Sequence, residues 1–205
     1  MRRRALVLLV ALLAGCATKG VQELPEITDW PMRQDVLGAL EQWELVGRIG
    51  IRTPEDSSSG SLSWRQRGVD FRAEIDGPLG IGGVQMVGDP RRVTLSGSKI
   101  DTVTVPDPER ELWRQTGLRV PVAGLRYWLL GVPLPGEPAD IVFGEDGLPL
   151  SIAQSGWRID YTEYRRWSLN ALPRRIKAES DDTRLTIVVR DWRIPGAAAS
   201  TQARN

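Results

Sequence analysis

Asp70, Glu74 and Asp76 recur at even spacing in the segment VDFRAEID, which puts them on one face of a strand. Grouped carboxylates of this kind are the raw material of acid–base hydrolysis, for instance of a glycan. The same spacing is also the ordinary solvated face of an amphipathic strand, with Val69, Phe71, Ala73 and Ile75 on the other side. The composition gives such chemistry little support. Histidine is absent from the 205 residues, which removes the usual general acid or base near neutral pH. It also removes every Ser-His-Asp or Cys-His arrangement and any histidine-ligated zinc site. The single cysteine, Cys16, has no disulfide partner. No catalytic residue, metal site or bound cofactor is expected.

Cys16 has a chemistry of its own. Arg2, Arg3 and Arg4 form a basic start, and Ala5 to Leu13 is an uncharged apolar run of about 14 Å as a helix, less than half a bilayer core. That pattern is a signal peptide and not a membrane span. It ends in Leu13-Ala14-Gly15-Cys16, which resembles the bacterial lipobox. There the signal is cleaved before the cysteine, which then carries an S-diacylglycerol group and an N-acyl chain. Residues 1–15 are therefore expected to be removed, and residues 16–30 to be the acylated cysteine and a tether. Three acyl chains, each stabilised in lipid by about 0.8 kcal/mol per methylene, anchor a domain in effect permanently. Ala17 stands where an aspartate commonly retains lipoproteins in the inner membrane, so the resemblance points to the outer membrane. Losing the three signal arginines leaves 24 basic against 26 acidic side chains, with no excess suited to nucleic acid.

The remaining chain must position whatever the anchor serves. RQDVLGALE, residues 33–41, sets Val36, Leu37 and Leu40 at helical spacing. From Trp43 the period changes to two. Trp43, Leu45, Gly47, Ile49 and Ile51 share one parity; so do Leu62, Trp64 and Gln66, after a polar turn in TPEDSSSG. Short strands follow at GVQMVGD, RRVTLSG and IDTVTV. Two helices interrupt them: DPERELWRQTG, with Asp107 as N-cap and Pro108 at the first position, and PVAGLRYWLLG. Strands then resume from ADIVFGEDG to TRLTIVVRDWRI. The count is about eleven, in the order expected of one antiparallel, strongly curved sheet that forms an open, unclosed β-barrel with a helical lid or plug. Residues 31–195 make the domain, and residues 196–205 form a small polar tail expected to be disordered.

In order and spacing, several stretches together resemble the LolB family of outer-membrane lipoprotein receptors. They are the lipobox, GRIGI at 47–51 with GSLSW at 60–64, GPLG at 77–80, GLRVPV at 117–122 running into LRYWLLGVP at 125–133, GWRIDY at 156–161, LPRRI at 172–176 and LTIVVRDW at 185–192. The resemblance covers essentially the whole mature domain. It implies a lidded open β-barrel like that of the soluble carrier LolA, with an apolar cavity for the acyl chains of a lipoprotein. It further implies that the protein takes triacylated lipoproteins from a LolA-like periplasmic carrier and releases them into outer-membrane lipid, without nucleotide hydrolysis. The implied form is a lipid-anchored monomer whose domain faces the periplasm.

The family's projecting, membrane-inserting leucine falls on Leu79 of GPLG, with Ile81 beside it. Read without the resemblance, Leu79 either projects from its hairpin or folds back on the core. Alternation nominates Trp43, Leu45, Ile49, Leu62, Trp64, Phe71, Ile75 and Met86 for the inner face, joined by Leu125, Trp128 and Leu129 from the helices. Each is open to two roles, ordinary core residue or acyl contact. Arg48 is open to a place at the mouth or on a solvated face. The competing function is a lipoprotein scaffold that binds other envelope proteins and needs no acyl cavity.

Overall fold

The computed structural model describes residues 24–77, 83–98, 100–106, 108–116 and 121–195. Helix α1 (Trp30–Gly38) leads into β1 (Gln42–Arg52), β2 (Ser57–Arg67), β3 (Asp70–Asp76), β4 (Val84–Asp89), β5 (Arg92–Gly97) and β6 (Ile100–Val105). Then come α2 (Pro108–Thr116), α3 (Val122–Trp128), β7 (Asp140–Phe143), β8 (Pro149–Gln154), β9 (Trp157–Trp167), β10 (Asn170–Glu179) and β11 (Arg184–Arg193).

All eleven strands lie in one antiparallel sheet, in the order β6-β5-β4-β3-β2-β1-β11-β10-β9-β8-β7. Two meanders, β1 to β6 and β7 to β11, are therefore joined where the first strand pairs with the last. Val93 and Leu95 of β5 and Ile152 of β8 belong to the same core as Leu45 of β1, so the sheet curls round its own interior. The free edges are β6 and β7, and the chain that links them carries α2 and α3. Among the described residues no strand pairs β6 with β7, so the sheet stays open. This is the open, helix-lidded architecture expected from the strand count.

Alternation explains most of the packing. Along β1, Trp43, Leu45, Gly47 and Ile49 are buried while Val46 and Arg48 are exposed. Leu62, Trp64 and Gln66 of β2 and Phe71 and Ala73 of β3 continue the inner face. The seam between the two meanders bends at a bulge between Val46 and Gly47. A Cβ on Gly47 would lie 2.4 Å from the Val188 carbonyl oxygen, so only glycine lets β1 approach β11 this closely.

The sheet has two distinct ends. Turns at 53–56, 155–156 and 180–183 cluster with the β3–β4 and β5–β6 connections at one end. The turns at 68–69, 90–91 and 168–169 lie at the other. Leu24 and α1 lie at that second end too: the Ile27 amide donates to Asn170 Oδ1 at 2.8 Å, and Asn170 Nδ2 donates to the Pro25 carbonyl at 3.0 Å.

Local detail departs from the periodicity in three places. α1 begins at Trp30 and not at Arg33, because Asp29 caps it by accepting from the Met32 amide at 2.9 Å, and Pro31 suits the first turn. Ser57 to Gly60 extend β2 opposite Ile49 to Arg52, which shrinks the expected polar turn to Thr53–Asp56. Val69, expected beside Phe71, sits in the hairpin turn after Gly68 and is 61% exposed.

Candidate functional site

Ten of the nominated residues, namely Trp43, Leu45, Ile49, Leu62, Trp64, Phe71, Met86, Leu125, Trp128 and Leu129, are buried in one contiguous apolar core. Ile75 is half-buried and packs against it. The strands contribute a continuous wall and α3 contributes the facing surface. Gly124 permits this: the Trp128 ring lies back over it, so close that an added Cβ would be 2.6 Å from the indole. Tyr161 of β9 donates to the Trp128 carbonyl at 2.9 Å and fixes α3 to the sheet.

Aromatic rings cross the wall in register. Phe71 stacks on Trp64 at 5.0 Å, Trp64 on Trp43 at 6.1 Å, and Trp43 meets Trp192 at 5.5 Å, which in turn meets Trp167 at 6.4 Å. Sequence spacing singled out the first three rings as site candidates. Trp192 joins them through the β1–β11 pairing, and Trp167 at the end of β9 lies two strands further on, which no local pattern reveals.

The ring series ends in a pocket of about 670 Å³ at the α1 end of the sheet. Trp43, Trp167, Leu172 and Trp192 form apolar parts of its lining, and Arg65, Arg67 and Arg193 contribute cations. Arg65 is paired with Glu44 at 2.6 Å. Glu44 and Asp191 add carboxylates, so the lining carries both signs of charge.

Two buried polar side chains that periodicity did not single out as functional hold the helical segment down. Arg33, 3% exposed, donates to the carbonyls of Leu130 at 3.1 Å and Ala171 at 2.9 Å, and its guanidinium lies over the Tyr164 ring at 5.7 Å. Burial lowers its pKa from the ordinary arginine value. Gln154 accepts from Trp128 Nε1 at 3.0 Å and the Leu134 amide at 2.8 Å, and donates to the carbonyls of Leu134 and Glu137. Its amide is fully satisfied, as a buried amide should be.

The acidic trio lies on the outside. Asp70 and Asp76 are exposed, while Glu74 receives hydrogen bonds from Arg72 at 2.7 Å and Gln85 at 3.1 Å. The Arg72 hydrogen bond holds the Glu74 carboxyl below the usual range, which suits a standing ion pair better than proton transfer. Arg48 is exposed on the outer face of β1. Among the described residues no group of histidine, cysteine and acidic side chains could hold a metal ion, and no helix is long and apolar enough to cross a membrane. Cys16, Leu79 and Ile81 lie outside the described residues.

Comparison with known proteins adds an independent line. The family described as "Outer membrane lipoprotein LolB" matches residues 41–192. The chain is 35% identical over 187 residues to the outer-membrane lipoprotein LolB of Pseudomonas fluorescens Pf-5, covering 89% of this chain and 91% of that one. It is 34% identical over 188 residues to the LolB of Pseudomonas syringae pv. syringae, covering 90% and 92%. In fold it is similar to a lipoprotein-sorting protein domain, described as putative, from Vibrio parahaemolyticus, with TM-score 0.50 at 7% identity and coverage of 85% and 92%. It is also similar to a DUF1329 family protein from Desulfovibrio piger, with TM-score 0.53 at 7% identity and coverage of 84% and 91%.

Proposed function

The chain belongs to the LolB family of outer-membrane lipoproteins, and on that premise we propose that it is the receptor that takes acylated lipoproteins from a soluble periplasmic carrier and inserts them into the outer membrane. The observation that carries this reading is the open sheet. Its inner face is a continuous apolar wall, and the segment between β6 and β7 that covers it is helical. Moving that segment opens the interior without breaking a strand pair, so acyl chains can enter and leave a domain whose sheet stays intact.

The energetics need no bond chemistry. An acyl chain exposed to water loses about 0.8 kcal/mol per methylene, so it passes only between apolar hosts. Transfer in one direction needs a descending series of free energies from carrier to receptor to bilayer, and about 1.4 kcal/mol per step gives a tenfold bias. Acylation of Cys16 keeps the last protein in the series beside its destination. Leu79, between Pro78 and Gly80 in the sequence, supplies the contact with lipid; burying one leucine gains about 1.5–3 kcal/mol, enough for a touch and too little for a second anchor.

The test uses the mature chain with Cys16→Ala, mixed with a carrier loaded with a triacylated lipoprotein and then separated from it. Lipoprotein recovered on this chain supports the receptor. Lipoprotein left on a carrier known to be competent removes the reading and puts the protein-binding scaffold in its place.

A further inference from the structure

Arg65, Arg72, Arg158 and Arg184 of the strands are each held by a carboxylate. At the seam between the two meanders that pattern stops. Arg48 of β1 and Arg175 of β10 are both register partners of Val188 on β11, so they flank it on the outer face. Lys177, two residues beyond Arg175, shares that face, and the exposed Arg190 of β11 donates to the Gly47 carbonyl at 3.5 Å. None of these four cations forms an ion pair among the described residues. The carboxylates opposite them are committed elsewhere, Glu163 to Arg174 and Asp160 to Arg158. Gly50, Ser59, Ser61 and Thr186 are their neighbours in the register, and such short side chains leave the long cations standing clear. Exposed Asp191, opposite Val46, bounds the patch towards the α1 end.

We infer that this seam is a docking surface for anionic phospholipid of the bilayer to which the chain is anchored, with lipid phosphodiester groups standing where carboxylates stand on the other strands. Guanidinium groups suit that partner, because each can donate two hydrogen bonds to one phosphate. Position favours a membrane over the carrier. β1 has five strands on either side of it in the sheet, so the seam forms the back of the curl, away from the β6 and β7 edges and the helical cover. A bilayer against the back leaves the opening clear for cargo, whereas a carrier docked there would meet unbroken sheet. The surface rests on the membrane anchoring in the reading above and not on its acyl-receiving step.

The experiment sediments the mature chain carrying Cys16→Ala with vesicles of phosphatidylcholine alone or of phosphatidylcholine mixed with phosphatidylglycerol. That chain carries slightly more acidic than basic side chains, so net charge alone predicts no attraction to the anionic vesicles. The parent prefers the anionic vesicles, and the preference fades as salt is raised. Each cation near an anionic surface is worth about fivefold in binding, so Arg48→Gln, Arg175→Gln, Lys177→Gln and Arg190→Gln together weaken it by at least about twentyfold. Arg67→Gln, Arg91→Gln, Arg92→Gln and Arg165→Gln together remove as much exposed charge away from the seam and keep the preference. Equal binding of the parent to both vesicles overturns the lipid surface, even where the seam variant fails to fold. An equal loss in both variants reduces the effect to net charge and overturns the seam. Uptake of lipoprotein from a loaded carrier stays as in the parent when the seam is neutralised. A seam variant that keeps its vesicle preference but loses uptake gives the face to the carrier instead. Vesicle binding uses neither carrier nor cargo, so its outcome is separate from that of the receptor test.

Discussion

Arg33 of α1 donates through Nη2 to the carbonyl oxygen of Leu130, 3.1 Å away and 97 positions along the chain. The same guanidinium reaches the Ala171 carbonyl of β10, so one cation clamps α1, the end of the helical segment and the sheet. Arg33→Met relieves the burial of a charge but orphans both carbonyls, at about 1–3 kcal/mol each, and the second effect wins. The expected result is a loss of about 2–3 kcal/mol in denaturant unfolding, with faster amide exchange at Leu129 to Val132 than across β1 and β2. Arg33→Lys, unable to fork towards both acceptors, recovers part of the loss. Unchanged exchange at the helical segment would remove the clamp.

Gly124→Ala separates helix propensity from packing. Alanine gains about 0.5–1 kcal/mol within a helix, but its Cβ would press on an indole that Gln154 holds in place. Overpacking of about 1–3 kcal/mol prevails, and the melting temperature falls. A more stable variant would show that Trp128 can move aside freely.

Stability should be level from pH 6 to 9, since the chain has no histidine, and should fall above about pH 10. Burial raises the pKa values of Tyr161 and Tyr164 above their ordinary value of 10.0. In that window the unfolded chain loses phenolic protons that the folded chain keeps, so stability falls by up to about 1.4 kcal/mol per pH unit for each tyrosine. The lowered pKa of Arg33 acts with the opposite sign, in a more alkaline range. Tyr161→Phe shallows the alkaline slope. Thermal melts from pH 7 to 11.5 check this, and an equally steep slope in Tyr161→Phe rejects it.

Leu79→Glu in the anchored protein separates receiving from releasing. Uptake of lipoprotein from the carrier stays as in the parent, while delivery into liposomes drops about tenfold to a hundredfold, the equivalent of ~1.5–3 kcal/mol of lost apolar contact. Leu79→Ile retains delivery. Undiminished delivery by the glutamate variant would end the role of this residue.

Period-two alternation sufficed to place the wall from Trp43 to Phe71, because an inner-face residue on a curled sheet obeys the same parity as one on a flat sheet. Gln66 was readable in that parity despite its polarity. Arg33 and Gln154 were not readable as clamps, since their partners are backbone carbonyls and amides brought close only by the closed tertiary structure. Trp43 Nε1, buried without a hydrogen-bond partner among the described residues, was equally hidden, because alternation says which ring is buried and nothing about which acceptors surround it. α1 was displaced in the sequence reading because its cap, Asp29, lies ahead of the apolar spacing.

The two ends of the sheet impose a leash problem. Leu24 emerges beside the β9–β10 turn, while Asp76 and Gly83, the described flanks of the Leu79 connection, lie at the far end of β3. From Cys16 to Leu24 the backbone spans at most about 28 Å, and the seven residues of β3 alone rise about 24 Å. A domain standing upright with Leu79 on the bilayer would pull its leash almost taut, and a reclining one leaves slack. Under the proposed function, with Cys16 acylated and Leu79 touching lipid, the reach of eight residues would limit how the domain can tilt during release. On that proposal, trimming the stretch is expected to weaken release into liposomes, and lengthening it to leave release intact.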